Sequence, residues 1–324
     1  MSAVAIVGTG MWAPRLAAAA ERAGLELVTC FSRDERRRGE FAKRFGCHPA
    51  ASLEEAVAHP RVEGVLLVTP NDVHEEQALA CAEQGRHVFV EKPIADSVEA
   101  GERMRIACAE AGVTLMVGHA FRRLGAARGV KQLLDDGALG RVVLAEANMS
   151  LPGSFRPEAW RAQRERNPGG PIMQLGIHHI DTLAYWLGPV RSASGRFAHV
   201  HAGADIDDVG VVTLELESGA LATLTGSYVS PKTFSLRLFG TEAVLDYRTD
   251  FSVWPDAAAL DGVTTLTLAG EPVRFDERDM LAEELAEFGR CIRGEAEAET
   301  GAAEGMAALA AVLQALESHA EVVG

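Results

Sequence analysis

No window of the chain reaches the ~18 uninterrupted apolar residues that a membrane-crossing helix needs, so no span is expected. Basic excess is missing too. The sequence has 31 Lys and Arg against 46 Asp and Glu, a formal net charge of −15. An acidic balance repels phosphate backbones and argues against a nucleic-acid partner. It says little about small anions, because a local basic patch overrides the global sign. The five cysteines, Cys30, Cys47, Cys81, Cys108 and Cys291, are odd in number and contain no C-x-x-C pair. They read as reduced, mostly buried thiols; zinc would need tighter clustering with His, so no metal site is expected. The opening MSAVAIVGTG lacks the basic n-region, longer apolar stretch and cleavage site of a signal peptide, which makes the cytoplasm the expected location. No internal repeat is found, and the Ala/Glu-rich stretch near the end reads as helix.

What is present is a chain of 324 residues, 48 % hydrophobic and 24 % charged, enough apolar material for two cores. Apolar runs at Ala3–Val7, Leu25–Phe31, Val62–Val68, His87–Val90 and Thr114–Val117 alternate with helical stretches at Pro14–Ala23, Asp34–Phe45, Ser52–Ala58, Val73–Gln84 and Ser97–Ala111. Continuously apolar strands alternating with helices predict a doubly wound parallel sheet covered on both faces, a Rossmann domain. Beyond residue ~120 the pattern changes. A helix at Ala126–Asp136 precedes a long strand at Arg141–Ser150, a loop at Leu151–Pro171 and a helix at Ile172–Leu187. From Arg191 to Phe275 alternating segments with Glu-Ser-Gly and Phe-Gly-Thr-Glu turns predict antiparallel hairpins. Helices near Met280–Arg293 and Ala302–His319 close the chain. The expectation is a dinucleotide-binding Rossmann domain over 1–122 and a substrate-binding and oligomerisation α/β domain over 123–324. The second is α+β, with a large, mainly antiparallel open sheet. Its long amphipathic strands, with too few helices to cover both faces, predict an apolar open face.

Gly8-Thr9-Gly10-Met11-Trp12-Ala13 matches G-x-G-x-x-A directly after the first strand. Gly8 makes the tight turn, Gly10 leaves room for a pyrophosphate, and a small third residue lets helix and strand pack closely. The helix start beyond Met11 and Trp12 offers free N–H groups to phosphates. The end of the second strand sets the cofactor: an acid there holds a ribose 2′-OH, a cation suits a 2′-phosphate. Here it reads Phe31-Ser32-Arg33, followed by Asp34-Glu35-Arg36-Arg37-Arg38. With Ser32 as donor and Arg33 and Arg37 as cations, NADP is expected in preference to NAD. Arg36 reads as part of a solvated helix face.

At Glu91-Lys92-Pro93 the sequence becomes specific. Together with the glycine loop, Thr69-Pro70-Asn71 with His74, Gly169-Gly170 and Gly176-Ile177-His178-His179-Ile180-Asp181, it resembles the Gfo/Idh/MocA oxidoreductase family over the whole chain. The resemblance implies that Thr69, Pro70, Asn71, His74, Glu91, Lys92 and Pro93 serve the cofactor. It also implies that Lys92 is the catalytic-site lysine and that Pro93 follows a cis bond. From the residues themselves, Lys92 lies just past the fourth predicted strand, at the ligand-binding end of an open α/β sheet. His178 and Asp181 are three apart on a predicted helix and share a face, where a carboxylate can orient an imidazole suited to proton transfer near neutrality. His179 is ambiguous between substrate contact and core. Two positions depart from the family pattern: Gln174 stands where sugar dehydrogenases of the family have Asp, and His119 where many have Asn. Gln174 can bind a hydroxyl but cannot carry a proton.

The implied activity is NAD(P)-dependent hydride transfer between nicotinamide and a secondary alcohol or ketone of a sugar, cyclitol or cyclic diol. Lys92 and His178 would act on the reacting oxygen, Asp181 would orient His178, and His119, Arg122, Trp160, Arg161, Gln174 and His179 would contact substrate. Arg156 and Arg164 add charge to the same loop and would suit a carboxylated or phosphorylated substrate. The alternative is a non-catalytic dinucleotide-binding sensor of the same fold. Retention of Lys92, His178 and Asp181 argues against it. Family members pair through the open sheet, so a homodimer or homotetramer is implied.

Overall fold

The computed structural model describes residues 1–153, 159–201, 203–253 and 256–323. They pack as two compact units: Met1–Ala120 with Leu281–Met306, and Phe121–Met280 with the chain from Ala307 onward. A single boundary after residue 122 does not contain this return of the chain to the first unit.

In the first unit the elements run β1 (Ala3–Val7), α1 (Ala13–Arg22), β2 (Glu26–Phe31), α2 (Glu35–Phe45), β3 (His48–Pro49), α3 (Leu53–Ala58), β4 (Gly64–Leu67), α4 (His74–Glu83), β5 (His87–Glu91), α5 (Val98–Glu110) and β6 (Leu115–Gly118). The strands form one parallel sheet in the order β3-β2-β1-β4-β5-β6, the doubly wound arrangement. The element order is the one predicted, apart from the two-residue edge strand β3, too short to leave a hydrophobic signal. Helix starts are set by side chains: Asp34, Ser52 and Ser97 accept from Arg37 N, Glu55 N and Ala100 N. Each such cap contributes about 1 kcal/mol. All five cysteines are free thiols and buried, as the sequence implied. The returning segment packs tightly: a Cβ on Gly64 would lie 2.8 Å from Ile292 Cδ1, and Phe288 meets Phe89 edge-on at 5.8 Å.

The second unit contains α6 (Gly125–Asp135), β7 (Val142–Ser150), α7 (Ile177–Leu187), β8 (Val190–Ala198), β9 (Val209–Leu216), β10 (Leu221–Ser227), β11 (Thr233–Gly240), β12 (Val244–Thr249), β13 (Thr264–Leu268) and β14 (Glu271–Pro272). Among the described residues these strands form an eight-stranded sheet, β14-β13-β12-β11-β7-β10-β9-β8, antiparallel except for β7 with β10. Two further helices close the chain: α8 (Met280–Ile292), in the first unit from Leu281, and α9 (Ala302–Val323), in the second from Ala307. The inner sheet face packs on α7, where Trp186 meets Tyr247 and donates Nε1–H to Ala127 O at 3.0 Å. The N-terminus of α6 is capped from afar: Asp261 accepts from Gly125 N and Ala126 N.

The outer sheet face corrects one expectation. It is polar rather than apolar. Glu146, Asn148, Thr223, Thr225, Ser235, Arg237, Asp246 and Arg248 line a shallow hollow of about 360 Å³. Exposed apolar residues on this face are few: Val211 lies among polar neighbours, and Leu221 pairs across the strands with Leu144, which is opposite Phe239. Period-2 alternation places these polar side chains outward because the inward set is already apolar.

Candidate active site

The glycine loop has the geometry its spacing requires. Gly8 has φ +96°, and a Cβ there would meet Val68 O at 2.4 Å, so only glycine fits. At Gly10 no protein atom lies within 4 Å of a built Cβ. The open space there is not needed for packing and suits a ligand backbone. Helix α1 begins beside it with no side-chain cap on its first N–H groups. The positive end of the helix dipole suits a pyrophosphate. Met11 is 83 % exposed, whereas Trp12 donates Nε1–H to Glu91 Oε1 at 2.5 Å. Gly118, opposite Glu91 on β6, leaves room for that carboxylate.

At the end of β2 the hydroxyls form a chain. Thr9 Oγ1 donates to Ser32 Oγ at 2.8 Å, and Ser32 Oγ donates to Asp34 O at 3.2 Å. Arg33 is exposed; Arg37 pairs with Asp34 at 3.3 Å. The Arg37 N–H on the Asp34 carboxylate, together with the nearby guanidinium groups, holds that carboxyl below its usual range. An exposed pair of this kind is weak, so Arg37 can turn to an incoming phosphate at little cost.

Beyond β4 and β5 the two marker segments are tied together. His74 is 1 % exposed; its Nε2 faces Thr69 O at 3.0 Å and its Nδ1 faces Pro93 O at 3.1 Å. Burial pushes its pKa down, against the pull of these carbonyls. His74 therefore braces the loops instead of presenting its ring to a ligand, a correction to its expected direct contact. Thr69 Oγ1 donates to Gln77 Oε1 at 2.6 Å, and Asn71 is buried. The Lys92–Pro93 peptide is cis. Lys92 follows β5 directly, and buried His119 follows β6.

In the second unit Gly169 and Gly170 both take positive φ, and a Cβ on Gly170 would lie 1.8 Å from Asp207 O. This turn opens into a π-helical turn, Ile172–Gly176, which carries buried Gln174 and leads into α7. Such single π turns insert one residue and frequently occur at functional sites. His178 follows it, 7 % exposed, with its ring 4.4 Å from that of Phe121. Asp181, expected to orient His178, has both carboxylate oxygens in a fork with Arg122: Nε to Oδ2 and Nη2 to Oδ1, each 2.7 Å. Arg122 also lies over the Tyr185 ring at 5.2 Å, and Arg128 donates to Tyr185 OH at 2.6 Å. Arg122 is thus held by Asp181 through Nε and Nη2.

His179 is a second correction. It has no exposed surface, its Nε2 lies 3.1 Å from Asn148 O, and its ring packs on Phe234. Burial pushes its pKa down to about 4, so it is a neutral core histidine. Of the loop cations, Arg161 lies 4.3 Å over the Trp160 ring, while Arg164 pairs with Asp205 and Asp207. Arg156 lies outside the described residues. Sequence reasoning missed Phe121 and Tyr185. The i,i+4 spacing of Asp181 and Tyr185 was the available signal for the latter.

Residues 2–119 match the family model for an oxidoreductase family with an NAD-binding Rossmann fold, and residues 127–246 match the GFO/IDH/MocA C-terminal domain. The 1,5-anhydro-D-fructose reductase of Ensifer adhaerens is 27 % identical over 303 residues, covering 92 % of this chain and 90 % of that protein. A D-xylose 1-dehydrogenase [NADP(+)] of Haloarcula marismortui is 27 % identical over 89 % of this chain and 82 % of its own length. The crystal structure of a candidate NADPH-dependent oxidoreductase from Desulfitobacterium hafniense superposes with a TM-score of 0.94 at 36 % identity. That match covers 99 % of this chain and 96 % of the other.

Proposed function

From the premise that the chain belongs to the Gfo/Idh/MocA family and is an NAD(P)-dependent oxidoreductase acting on CH–OH groups, we propose how its residues divide the work and which cofactor and assembly it uses. The observation that carries the cofactor assignment is the loop at Gly8 and Gly10, with its open space beside the start of α1. Gly10, Met11 and Trp12 hold the pyrophosphate. Ser32, Arg33 and Arg37 hold a 2′-phosphate, which makes NADP the preferred form. The relatives named for NADP(+) and NADPH support that preference. Thr69, Pro70 and Asn71 flank the cofactor, with His74 keeping their loop in place. When bound, the nicotinamide supplies the hydride acceptor or donor.

The substrate is a secondary alcohol, or the matching ketone, of a sugar, cyclitol or cyclic diol; the relatives named for anhydrofructose and xylose support this class. In the oxidative direction His178 takes the hydroxyl proton as its carbon loses hydride. The Lys92 ammonium donates to the same oxygen and stabilises the charge that develops there. Gln174 hydrogen-bonds a neighbouring hydroxyl and leaves the proton to His178. His119, Trp160 and Arg161 are the further residues assigned to substrate contact. Reduction runs the same path backwards. The test is absorbance at 340 nm with a polyol and ketose panel. Tight NADP(H) binding without turnover on any member would favour the sensor reading.

The cytoplasm is the proposed location; among the described residues no helix is long and apolar enough to cross a membrane. The outer sheet face is the proposed surface for a homodimer or homotetramer. Its polar character implies an interface of hydrogen bonds and ion pairs. Sedimentation showing only a 34.5 kDa species at micromolar concentration would rule the assembly out.

A further inference from the structure

A buried ion pair needs a reason. Replacing one by well-packed apolar residues is often neutral or stabilising, so burial of Arg122 and Asp181 is not explained by stability alone. Both are nearly inaccessible, with side chains 9 % and 1 % exposed, and they meet in a bidentate fork. Their position supplies the reason. Asp181 is three residues from His178 on one helix, a spacing that brings side chains to the same face. Arg122 follows Phe121, whose ring lies against the His178 imidazole. The turn that brings the cation thus also packs the ring. Tyr185, one helical turn beyond Asp181, lies under the guanidinium and is gripped by Arg128, which fixes the fork from the other side.

We infer that Arg122 and Asp181 are a positioning pair for His178, fixing its ring and, by cancelling each other's charge, holding the imidazole neutral enough to accept a proton. The inference rests on the reading of His178 as the proton acceptor. Asp181 alone would favour imidazolium, which cannot act as a base; Arg122 alone would favour the neutral ring but leave it a weak base. Together they act as a fixed dipole. The charged residues on the elements around His178 are Asp181 on its own helix and Arg122 and Arg123 on the adjoining turn. Phe121, whose ring lies on the imidazole, and Gln174 in the π turn are uncharged, and Arg128 on α6 serves Tyr185. Lys92 is present in every variant below and cancels from the comparison.

The prediction is a pair of opposite shifts. Arg122→Gln leaves the carboxylate uncompensated and raises the His178 pKa by ~1 unit or more; Asp181→Asn leaves the guanidinium uncompensated and lowers it by a similar amount. The double variant Arg122→Gln/Asp181→Asn returns to within ~0.5 unit of the parent, because both charges are gone. Arg122→Lys keeps the charge and loses the planar fork, so its kcat falls while its pKa stays near the parent value. The readouts are the acid limb of the pH–kcat profile and NMR titration of the His178 ring without cofactor, its resonance assigned by loss in His178→Gln. Circular dichroism identifies variants that fail to fold, in which case the double variant and Arg122→Lys carry the test. Opposite shifts that cancel in the double variant support the inference. Shifts of the same sign, or none, overturn it. If His178→Gln itself remains active with an unchanged pH profile, the proton-acceptor reading fails instead, whatever the NMR shifts show.

Discussion

Asp261 offers the sharpest stability test, because its contacts can be counted. It is buried, and its carboxylate accepts from Gly125 N at 2.5 Å, Ala126 N at 3.2 Å and Arg278 N at 3.0 Å. The first two are orphan N–H groups at the start of α6, whose own N-cap, Leu124, has no side chain able to accept. Each buried N–H left unpaired costs about 1–3 kcal/mol, and water entering the cavity recovers part of that. Asp261→Ala is therefore expected to lose about 3–5 kcal/mol, and Asp261→Asn, which keeps one acceptor oxygen, about 1–2 kcal/mol. A pH signature accompanies this loss. Burial raises the Asp261 pKa, opposed by the three N–H groups. A raised native pKa means the folded state binds more protons than the unfolded state between the two values. Stability then falls as pH rises from the ordinary carboxylate value through the native one. Urea unfolding monitored at the tryptophans, across that window, reads both effects. A loss below about 1 kcal/mol in Asp261→Ala would refute the capping argument, since a single conventional helix cap already contributes that much.

The two loop glycines should separate fold from function: Gly8→Ala lowers stability because of its positive φ and the clash at 2.4 Å, whereas Gly10→Val leaves the melting temperature unchanged but weakens dinucleotide binding roughly tenfold or more, read by fluorescence titration. Ser32→Asp with Arg33→Ala should shift preference from NADP(H) toward NAD(H). A parent enzyme that already binds NAD at least ~10-fold more tightly would contradict the strand-end assignment. Lys92→Ala and His178→Ala should each cut turnover by roughly 10²-fold or more with little change in cofactor affinity, and the double variant should be little worse than the worse single one. Because His179 titrates at about 4 in the fold, below the ordinary value near ~6.5, the unfolded state binds the extra proton between them and stability drops as pH falls through that window. His179→Gln should flatten that acid limb in urea melts, and an unchanged limb would count against the buried neutral ring.

Much of the first unit was legible because its signals are local. A continuously apolar five-residue β1 followed by Gly8 and Gly10 specifies strand, tight turn and ligand space within a few residues. The caps Asp34, Ser52 and Ser97 sit where N-cap chemistry puts them. In the second unit the hairpin turns and the long helix were legible for the same reason. The π turn at Ile172–Gly176 was not, because a helix with one inserted residue has nearly the same hydrophobic pattern as one without it. The outer sheet face was misjudged from strand length: amphipathic alternation shows that the two faces differ but not how polar the outward one becomes when all its strands assemble.

The sequence by itself determined the order of strands and helices, the glycine loop, the positions of Lys92 and His178 in their segments and the family to which they point. These depend on periodicity and on backbone conformations that only certain residues adopt. Only the tertiary structure decided which polar groups meet. Arg122 and Asp181 are 59 residues apart and Asp261 and Gly125 are 136 apart, and no spacing rule relates either pair. His178 and His179 are adjacent and chemically identical, yet one packs against the Phe121 ring and the other, held against Asn148 O and Phe234, is sealed in the core. Adjacent helical residues point in directions about 100° apart, and what lies in each direction is set by the sheet and turns that pack there.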